Sequence, residues 1–143
     1  MSNADSKGAR SRARELIVQS LYQMQITGHD ETELKAQFHK RQEYAQVDQH
    51  YYDDLLGAIL NSQSDLEVSI DRFADRPVGQ LDPIEKGILL LGFHELKAQP
   101  DIPYKVIINE SVNLARRFGA VDGHKYINAL LDKAAEKLRP TKD

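Results

Sequence analysis

The sequence predicts an all-α protein with about seven helices in two packed helical subdomains, and three observations support this fold class. Apolar residues recur at spacings of three and four along most of the chain, which places their side chains on one face of a helix. No segment combines strict alternation of apolar and polar residues with the β-branched enrichment that is typical of strands. Capping and helix-ending residues divide the chain into short segments whose connections suit antiparallel neighbours.

The first two predicted helices lie in the N-terminal third of the chain. The first begins at Ala9 and ends at Gly28, because glycine commonly follows the last turn of a helix. The second begins after Asp30, which together with Glu33 has the spacing of a capping box. The apolar faces are predicted to contain Ala13, Ile17, Leu21 and Met24 in the first helix and Leu34, Phe38 and Ala45 in the second.

The third and fourth predicted helices occupy the middle of the chain. Asp48 is placed to cap the third helix, and the polar residues 61–64 separate it from the fourth. The fourth helix ends before Pro77, because proline disfavours helical backbone at the residue that precedes it. The apolar faces are predicted to contain Tyr52, Leu55, Leu56, Ile59 and Leu60 in the third helix and Leu66, Ile70 and Phe73 in the fourth.

The fifth predicted helix has the clearest start signal in the chain. Asp82 stands at the N-cap, Pro83 at the first helical position and Glu85 at the third. The residues that follow, as far as about Leu96, are apolar on nearly every side of the helix. A helix with this pattern is buried on all sides, so we expect it to lie at the centre of the fold.

The last two predicted helices follow a short turn. The sixth runs from Pro103 to Phe118, and Gly119 ends it. Asp122 is placed to cap the seventh helix, and Pro140 lies beyond its end. The inward face of the seventh helix is predicted to contain Tyr126, Ile127, Leu130, Leu131 and Ala134.

Length and composition indicate one soluble globular domain. The chain has 143 residues, of which 41% are hydrophobic and 29% are charged. We interpret residues 1–8 as a flexible polar tail and residues 9–140 as the domain. The best apolar run, residues 88–93, is too short to span a membrane, and no secretion signal is recognised, so we expect a cytoplasmic protein. The absence of cysteine is consistent with a reducing compartment.

Charge is distributed unevenly along the chain, although the net charge is only −3. Residues 1–29 carry four basic and two acidic side chains, and residues 116–143 carry seven and four. Residues 30–75, in contrast, carry four basic and eleven acidic side chains. Screening limits each charge to a range of about 8–10 Å, so the basic ends could bind phosphate despite the acidic middle.

No catalytic motif is recognised, so we predict no enzymatic activity, no cofactor and no metal site. The eight glycines form no phosphate-binding loop, and no two of the five histidines have the spacing of a helical zinc site. The cluster of Asp122, His124 and Lys125 could suggest acid–base catalysis. A helix cap at Asp122, alone or combined with RNA contact, explains this cluster better.

Basic residues accompany aromatic residues near both ends of the chain. Single-stranded RNA is bound by stacking bases on aromatic or guanidinium planes and by contacts from Lys and Arg to the backbone. Cations at a helix start oppose the macrodipole, so they do not serve helix stability. The aromatic residues could instead belong to the core. One group of basic and aromatic residues lies near each end of the chain, and these two groups support RNA binding only if the chain ends meet. The groups are Lys7, Arg10, Arg12, Arg14 and Tyr22, and Arg116, Arg117, Phe118, Lys125 and Tyr126.

Three parts of the sequence together resemble the NusB family. Residues 12–15 (RARE) and 19–22 (QSLY) resemble the arginine-rich first helix of that family. Residues 102–110 (IPYKVIINE) with residues 114–119 (LARRFG), and residues 124–133 (HKYINALLDK), resemble its later signatures. The resemblance covers residues 9–140 in order and spacing, although Ser11 interrupts a basic run that is often denser in the family.

The resemblance implies an all-α protein that binds boxA-type single-stranded RNA of ribosomal RNA operons. It further implies a heterodimer with a small-subunit ribosomal protein, NusE, in a complex with other Nus factors that keeps RNA polymerase elongating. By the same resemblance, the RNA-facing positions are Arg10, Arg12, Arg14, Tyr22, Phe118, Asp122, Lys125 and Tyr126. The positions expected near the ribosomal-protein interface are Phe73 and Glu85.

Other residues of these segments have structural explanations, and other functions stay open. Asn109 and Asn128 are predicted to be buried, satisfied amides or local backbone caps. The chain could be a helical protein-interaction module without specific RNA binding. An accessory domain of an RNA-modifying enzyme is disfavoured, because no catalytic domain follows in the chain. A homodimer that hides the RNA-facing surface is also open.

Overall fold

The structure, a computed structural model, describes the backbone of residues 3–140 and the side chains of residues 8–140. Over that range it contains seven α-helices, two short 3-10 helices and no β-strand, which confirms the predicted fold class. The chain divides between Asn61 and Ser62 into two compact units, called unit 1 and unit 2 below. No helix in the described range is long and apolar enough to cross a membrane.

Unit 1 contains three α-helices. Helix α1 spans Asn3–Thr27, α2 spans Glu31–Phe38 and α3 spans Gln49–Asn61, with a 3-10 helix at Gln42–Gln46. Gly28 follows α1 with a φ of 76°, a left-handed conformation that glycine adopts without steric cost. The predicted capping box is present, because the Asp30 carboxylate accepts from the Glu33 amide at 2.9 Å and the Glu33 carboxylate accepts from the Asp30 amide at 3.0 Å.

The core of unit 1 includes one buried polar pair. Tyr52 on α3 is fully buried, and its hydroxyl lies 2.7 Å from the Ser20 hydroxyl on α1. Ser20 in turn donates to the Leu16 carbonyl at 2.8 Å. Both hydroxyls are therefore satisfied, and the pair joins the facing sides of α1 and α3. Asp48 caps α3 as predicted, since its carboxylate accepts from the Tyr51 amide at 3.0 Å.

Some details of unit 1 differ from the sequence prediction. Helix α1 begins at Asn3 rather than at Ala9, although the flexibility of residues 1–8 stays a prediction. Because Arg10 lies about two turns inside α1, the expected opposition between N-terminal cations and the macrodipole does not apply there. Ala45 is exposed on the 3-10 helix instead of continuing the apolar face of α2, so that assignment was wrong. Met24 is half-buried.

Unit 2 contains four α-helices and a 3-10 helix at Val78–Gln80. Helix α4 spans Gln63–Phe73, α5 spans Pro83–Ala98, α6 spans Tyr104–Phe118 and α7 spans Gly123–Leu138. As predicted, α5 is central, because every residue from Gly87 to Leu96 is buried. Asp82 caps α5, since its carboxylate accepts from the amides of Ile84 at 2.7 Å and Glu85 at 3.2 Å. A cap of this kind stabilises a helix by about 1 kcal/mol.

Two residues position α6 and α7 around α5. A Cβ atom at Gly92 on α5 would lie 3.2 Å from the Leu131 methyl groups and from the Ser111 hydroxyl, so α5 packs closely against both helices there. The buried guanidinium of Arg139, just after α7, donates hydrogen bonds to backbone carbonyls at and beyond the end of α5. The accepting carbonyls belong to Glu95, Leu96, Gln99 and Ile102. The Leu96 carbonyl has no amide four residues on, because that residue is Pro100, so Arg139 supplies a partner that the end of the helix does not.

Candidate nucleic-acid interface

The first candidate surface lies on α1 and comprises the predicted residues Arg10, Arg12, Arg14 and Tyr22; we call it the α1 surface. Two of its guanidinium groups lie over the same aromatic ring on α3. The guanidinium carbon of Arg10 is 4.3 Å from the centroid of Tyr51, and that of Arg14 is 5.5 Å from it. Cation–π contacts of this kind restrict where a long side chain can lie. The ring of Tyr51 therefore limits the positions that the side chains of Arg10 and Arg14 can adopt.

The arginines of the α1 surface differ in exposure. Arg10 and Arg12 are exposed, whereas Arg14 is only 4% exposed. Arg14 accordingly lies against Tyr51 within unit 1 and presents little of its guanidinium to solvent. The geometry favours a positioning role for Arg14, and Arg10 and Arg12 are better placed to contact a phosphate.

Backbone contacts attach the segment before α3 to this part of α1. Arg12 donates from Nε to the Gln46 carbonyl at 2.9 Å, and the Asp48 amide donates to the Ala9 carbonyl at 2.9 Å. One N–H donor of Arg12 is thus already used in a hydrogen bond to this segment. A guanidinium has five N–H donors, so the terminal nitrogens of Arg12 are chemically capable of binding an oxyanion as well.

Tyr22 is the aromatic member of the α1 surface. Its side chain is 42% exposed, so the alternative that it belongs to the core was wrong. An exposed tyrosine ring offers a π-face on which a nucleobase can stack. Because Tyr22 lies on the same helix as Arg10 and Arg12, one rigid element carries both the cations and the aromatic group.

The second candidate surface surrounds the start of α7 and comprises Phe118, Asp122, Lys125 and Tyr126; we call it the α7 surface. Asp122 has a φ of 72° and makes no side-chain capping hydrogen bond, so the predicted helix cap was wrong. Aspartate is one of the few residues besides glycine that adopts this left-handed conformation readily. The Asp122 carboxylate instead lies 3.4 Å from Lys125 Nζ.

The aromatic residues of the α7 surface are both half-buried and both lie under arginines. Arg117 lies 5.3 Å from the ring centroid of Phe118, and Arg76, before α5, lies 4.4 Å from that of Tyr126. The Tyr126 hydroxyl is buried beside the guanidinium of Arg76, and its interaction with that guanidinium raises the pKa of Arg76.

The two residues predicted near a protein partner lie beside the α7 surface, within unit 2. Glu85 is so close to the start of α7 that a Cβ atom at Gly123 would lie 3.0 Å from its carboxylate. Partial burial raises the pKa of the Glu85 carboxyl, and the neighbouring Asp82 raises it further. Arg76 opposes this shift.

Phe73, the other predicted partner residue, is nearly buried. It is 9% exposed, and its ring centroid lies 6.0 Å from that of Phe93. Phe73 and Tyr126 also line one small cavity of about 140 Å³, together with Lys133. Phe73 is thus packed within unit 2, and its place at a protein interface stays a prediction.

Unit 1 brings Arg10 and Arg14 over one ring and unit 2 brings Asp122 against Lys125, and each unit also contains one residue that the sequence did not reveal. Tyr51 supports the arginines of α1, and Arg76 covers Tyr126. Tyr51 is 37 positions beyond Arg14 and Arg76 is 50 before Tyr126, so no helical spacing links either pair. Across the described residues, no three His, Asp or Glu side chains are grouped so that they could hold a metal ion.

Comparison with known sequences identifies a family over nearly the whole chain. The sequence profile described as NusB family matches residues 11–136. The transcription antitermination protein NusB of Alcanivorax borkumensis is 43% identical over 139 residues, which cover 97% of this chain and 93% of that protein. The transcription antitermination protein NusB of Ralstonia nicotianae is 44% identical over 136 residues, which cover 95% of this chain and 88% of that protein.

Comparison with solved structures gives the same fold. A crystal form of T. maritima NusB superposes with a TM-score of 0.79 at 24% identity, covering 90% of this chain and 91% of that one. A structure described as antitermination factors NusB and NusE in complex with dsRNA superposes with a TM-score of 0.76 at 18% identity, covering 89% and 96%. At these identities the superpositions establish the fold alone.

Proposed function

Because the chain belongs to the NusB family, we propose that it is a transcription antitermination factor that binds boxA-type single-stranded RNA together with the ribosomal protein NusE. It acts, in this proposal, in the cytoplasm, in a complex with other Nus factors and RNA polymerase. It does so without enzymatic activity, since its contribution is to hold RNA and protein together.

The observation that carries the proposal is the ordered arginine stack of the α1 surface. Arg10 is exposed, yet its guanidinium lies over the ring of Tyr51, and that of the buried Arg14 lies over the same ring. Binding a phosphate normally requires an arginine to lose side-chain freedom, which opposes association. A guanidinium that is already restricted loses less, so this arrangement supports phosphate binding more than a mobile basic helix would.

The α7 surface supports the same proposal with different chemistry. Lys125 supplies a cation, and the half-buried rings of Phe118 and Tyr126 supply stacking faces. Bases of a single strand are free to stack on such rings, whereas those of a duplex are already paired and stacked. We therefore propose single-stranded RNA as the ligand, although one structurally similar NusB–NusE complex contains double-stranded RNA.

The proposed NusE contact involves the part of unit 2 beside Glu85. The carboxylate of Glu85 is half-buried and lies next to the start of α7. A basic side chain of a partner could pair with this carboxylate, and a pair that is partly shielded from water is less weakened by salt than a fully exposed one. RNA and NusE would then contact neighbouring parts of unit 2, so binding of one affects the other.

Equilibrium RNA binding tests the proposal. Fluorescence anisotropy of the full chain should be measured with a labelled boxA-type strand, a scrambled strand of equal composition and a duplex, each with and without NusE. We expect the boxA-type strand to bind more tightly than the other two and NusE to strengthen that preference. Equal and weak binding to all three probes in every condition would leave the chain as a helical protein-interaction module and would overturn the proposal.

A further inference from the structure

A polar groove of about 580 Å³ lies between α6 and α7, within unit 2. Its volume falls in the range of about 300–1,000 Å³ that is usual for small-molecule sites. None of its lining residues in the described chain is acidic. Its polar lining residues are Asn109, Asn113, Arg116, His124, Lys125 and Asn128. We call this the α6–α7 groove. Of its lining residues, only Lys125 also belongs to the α7 surface.

The helical spacing of these residues explains how the groove forms. On α6 they stand at positions i, i+4 and i+7, which lie along one face of a helix. Asn109, Asn113 and Asn128 are all exposed, so the expectation that Asn109 and Asn128 are buried amides was wrong. Within the described part of the chain, no hydrogen bond engages any of the three carboxamides. They are therefore available to a ligand.

The groove has a cationic end and an amide-rich end. Arg116 stands in the last turn of α6, and His124 and Lys125 stand in the first turn of α7, so all three adjoin the connection at residues 119–122. The positive end of the α7 helix dipole adds to the potential there, and no side chain caps it. The carboxamides of Asn109 and Asn113 lie earlier in α6 and that of Asn128 lies later in α7, so all three are farther from this connection.

We propose that the α6–α7 groove binds one nucleotide unit of single-stranded RNA, with a phosphate at Arg116 and Lys125 and a base edge at Asn113 and Asn128. A carboxamide has a donor and an acceptor side by side, so it can pair with the hydrogen-bonding edge of an unpaired base. No lining residue in the described chain is acidic, and a phosphate at Lys125 would replace the exposed ion pair that Lys125 forms with Asp122 at 3.4 Å. This inference rests on the proposed RNA binding and assigns part of its selectivity to residues outside the α1 and α7 surfaces.

Two groove variants with matched controls test the proposal. Asn113→Ala combined with Asn128→Ala removes two exposed carboxamides, and Asn61→Ala is a control at an exposed asparagine outside the groove. Arg116→Gln removes one cation from the last turn of a helix, and Arg72→Gln does the same at the end of α4. Circular dichroism should show equal helix content in all four variants, because each replaces an exposed side chain.

The two variants should weaken RNA binding in different ways. The asparagine double variant should bind the boxA-type strand about tenfold more weakly and the scrambled strand nearly as well as before, because hydrogen bonds to base edges carry selectivity. Arg116→Gln should weaken binding to both strands alike. It should also reduce the slope of log affinity against log salt by about 0.7, the value for one phosphate contact with a single strand.

Three outcomes would overturn the proposal. If the wild-type chain binds the boxA-type strand and the double variant binds it equally well, the groove proposal is wrong and RNA binding stands. If the wild-type chain binds no RNA even with NusE, both proposals are wrong. If the side-chain amide resonances of Asn113 and Asn128 shift on addition of NusE but not of RNA, the groove contacts protein and the nucleotide assignment is wrong.

Discussion

The α1 surface and the α7 surface contain similar residue types but differ in how their side chains are held. In the α1 surface, the guanidinium groups of the exposed Arg10 and the buried Arg14 both lie over the ring of Tyr51. In the α7 surface, the side chains of Lys125 and Asp122 are 73% and 69% exposed and form a single ion pair. An exposed pair of this kind contributes little to stability. Arg10 and Arg14 of the first surface are therefore packed against an aromatic ring of their unit, whereas Lys125 of the second is held only by an exposed ion pair.

This difference separates two effects that substitutions usually mix. A substitution at either of the buried residues Tyr51 and Arg14 should lower both the free energy of unfolding and the affinity for RNA. A substitution of an exposed residue in the α7 surface should lower affinity alone, because surface side chains outside packed clusters have small effects on stability. Tyr51→Ala, and Arg14→Ala compared with Lys125→Ala, separate the two effects.

Tyr51→Ala should have the largest effect on stability. The substitution removes a buried ring from unit 1, and losses of this size lower the free energy of unfolding by about 3 kcal/mol. RNA affinity should fall as well, because Arg10 loses the ring over which it lies. Urea denaturation and anisotropy measure the two effects, and Tyr51→Phe, which keeps the ring, is the control. A loss of stability with unchanged RNA affinity would show that the stack has no role in binding.

Arg14→Ala compared with Lys125→Ala should give the clearest contrast. Arg14→Ala should lower the free energy of unfolding by roughly 1–2 kcal/mol, because it removes a buried stem and a cation–π contact. Lys125→Ala should leave the urea midpoint unchanged and still weaken RNA binding. Equal midpoints for both variants would contradict the distinction between the two surfaces.

Glu85→Gln should have the smallest effect, visible as a change in pH dependence. Burial raises the pKa of Glu85 in the folded chain, so the stability that this carboxyl contributes is present at low pH and is lost as pH rises through its folded pKa. Glutamine does not titrate, so the Tm difference between variant and wild type should move in favour of the variant from about pH 4 to about pH 7. A Tm difference that stays constant over this pH range would contradict the effect of burial on the Glu85 carboxyl.

Local signals in the sequence were sufficient for most of the fold. Asp82 caps α5 as predicted, because the Asp-Pro start determines the backbone of the first turn by itself. Asp122 occupies the same position before α7, yet it adopts a left-handed conformation and does not cap. Its conformation depends on the path of the chain between α6 and α7, which spacing along the sequence does not contain.

The candidate sites were less predictable, because they depend on contacts between distant residues. The sequence placed Arg10 and Arg14 on one helix face, but only the fold brings Tyr51 against both of them. The burial of Arg14 follows from that contact. In the same way, Asn109 and Asn128 were interpreted as buried because asparagines on helices often satisfy neighbouring groups. They are exposed because they line the open α6–α7 groove.

The salt dependence of RNA binding by a double variant tests the central claim most directly. Arg10→Gln and Lys125→Gln each remove one exposed cation, one from each surface, without disturbing the packed residues beneath them. If both surfaces contact RNA phosphates, the slope of log affinity against log salt should decrease by about 1.4 relative to wild type. Arg72→Gln should leave it unchanged. An unchanged slope and affinity in a folded double variant would contradict the assignment of RNA binding to these two surfaces.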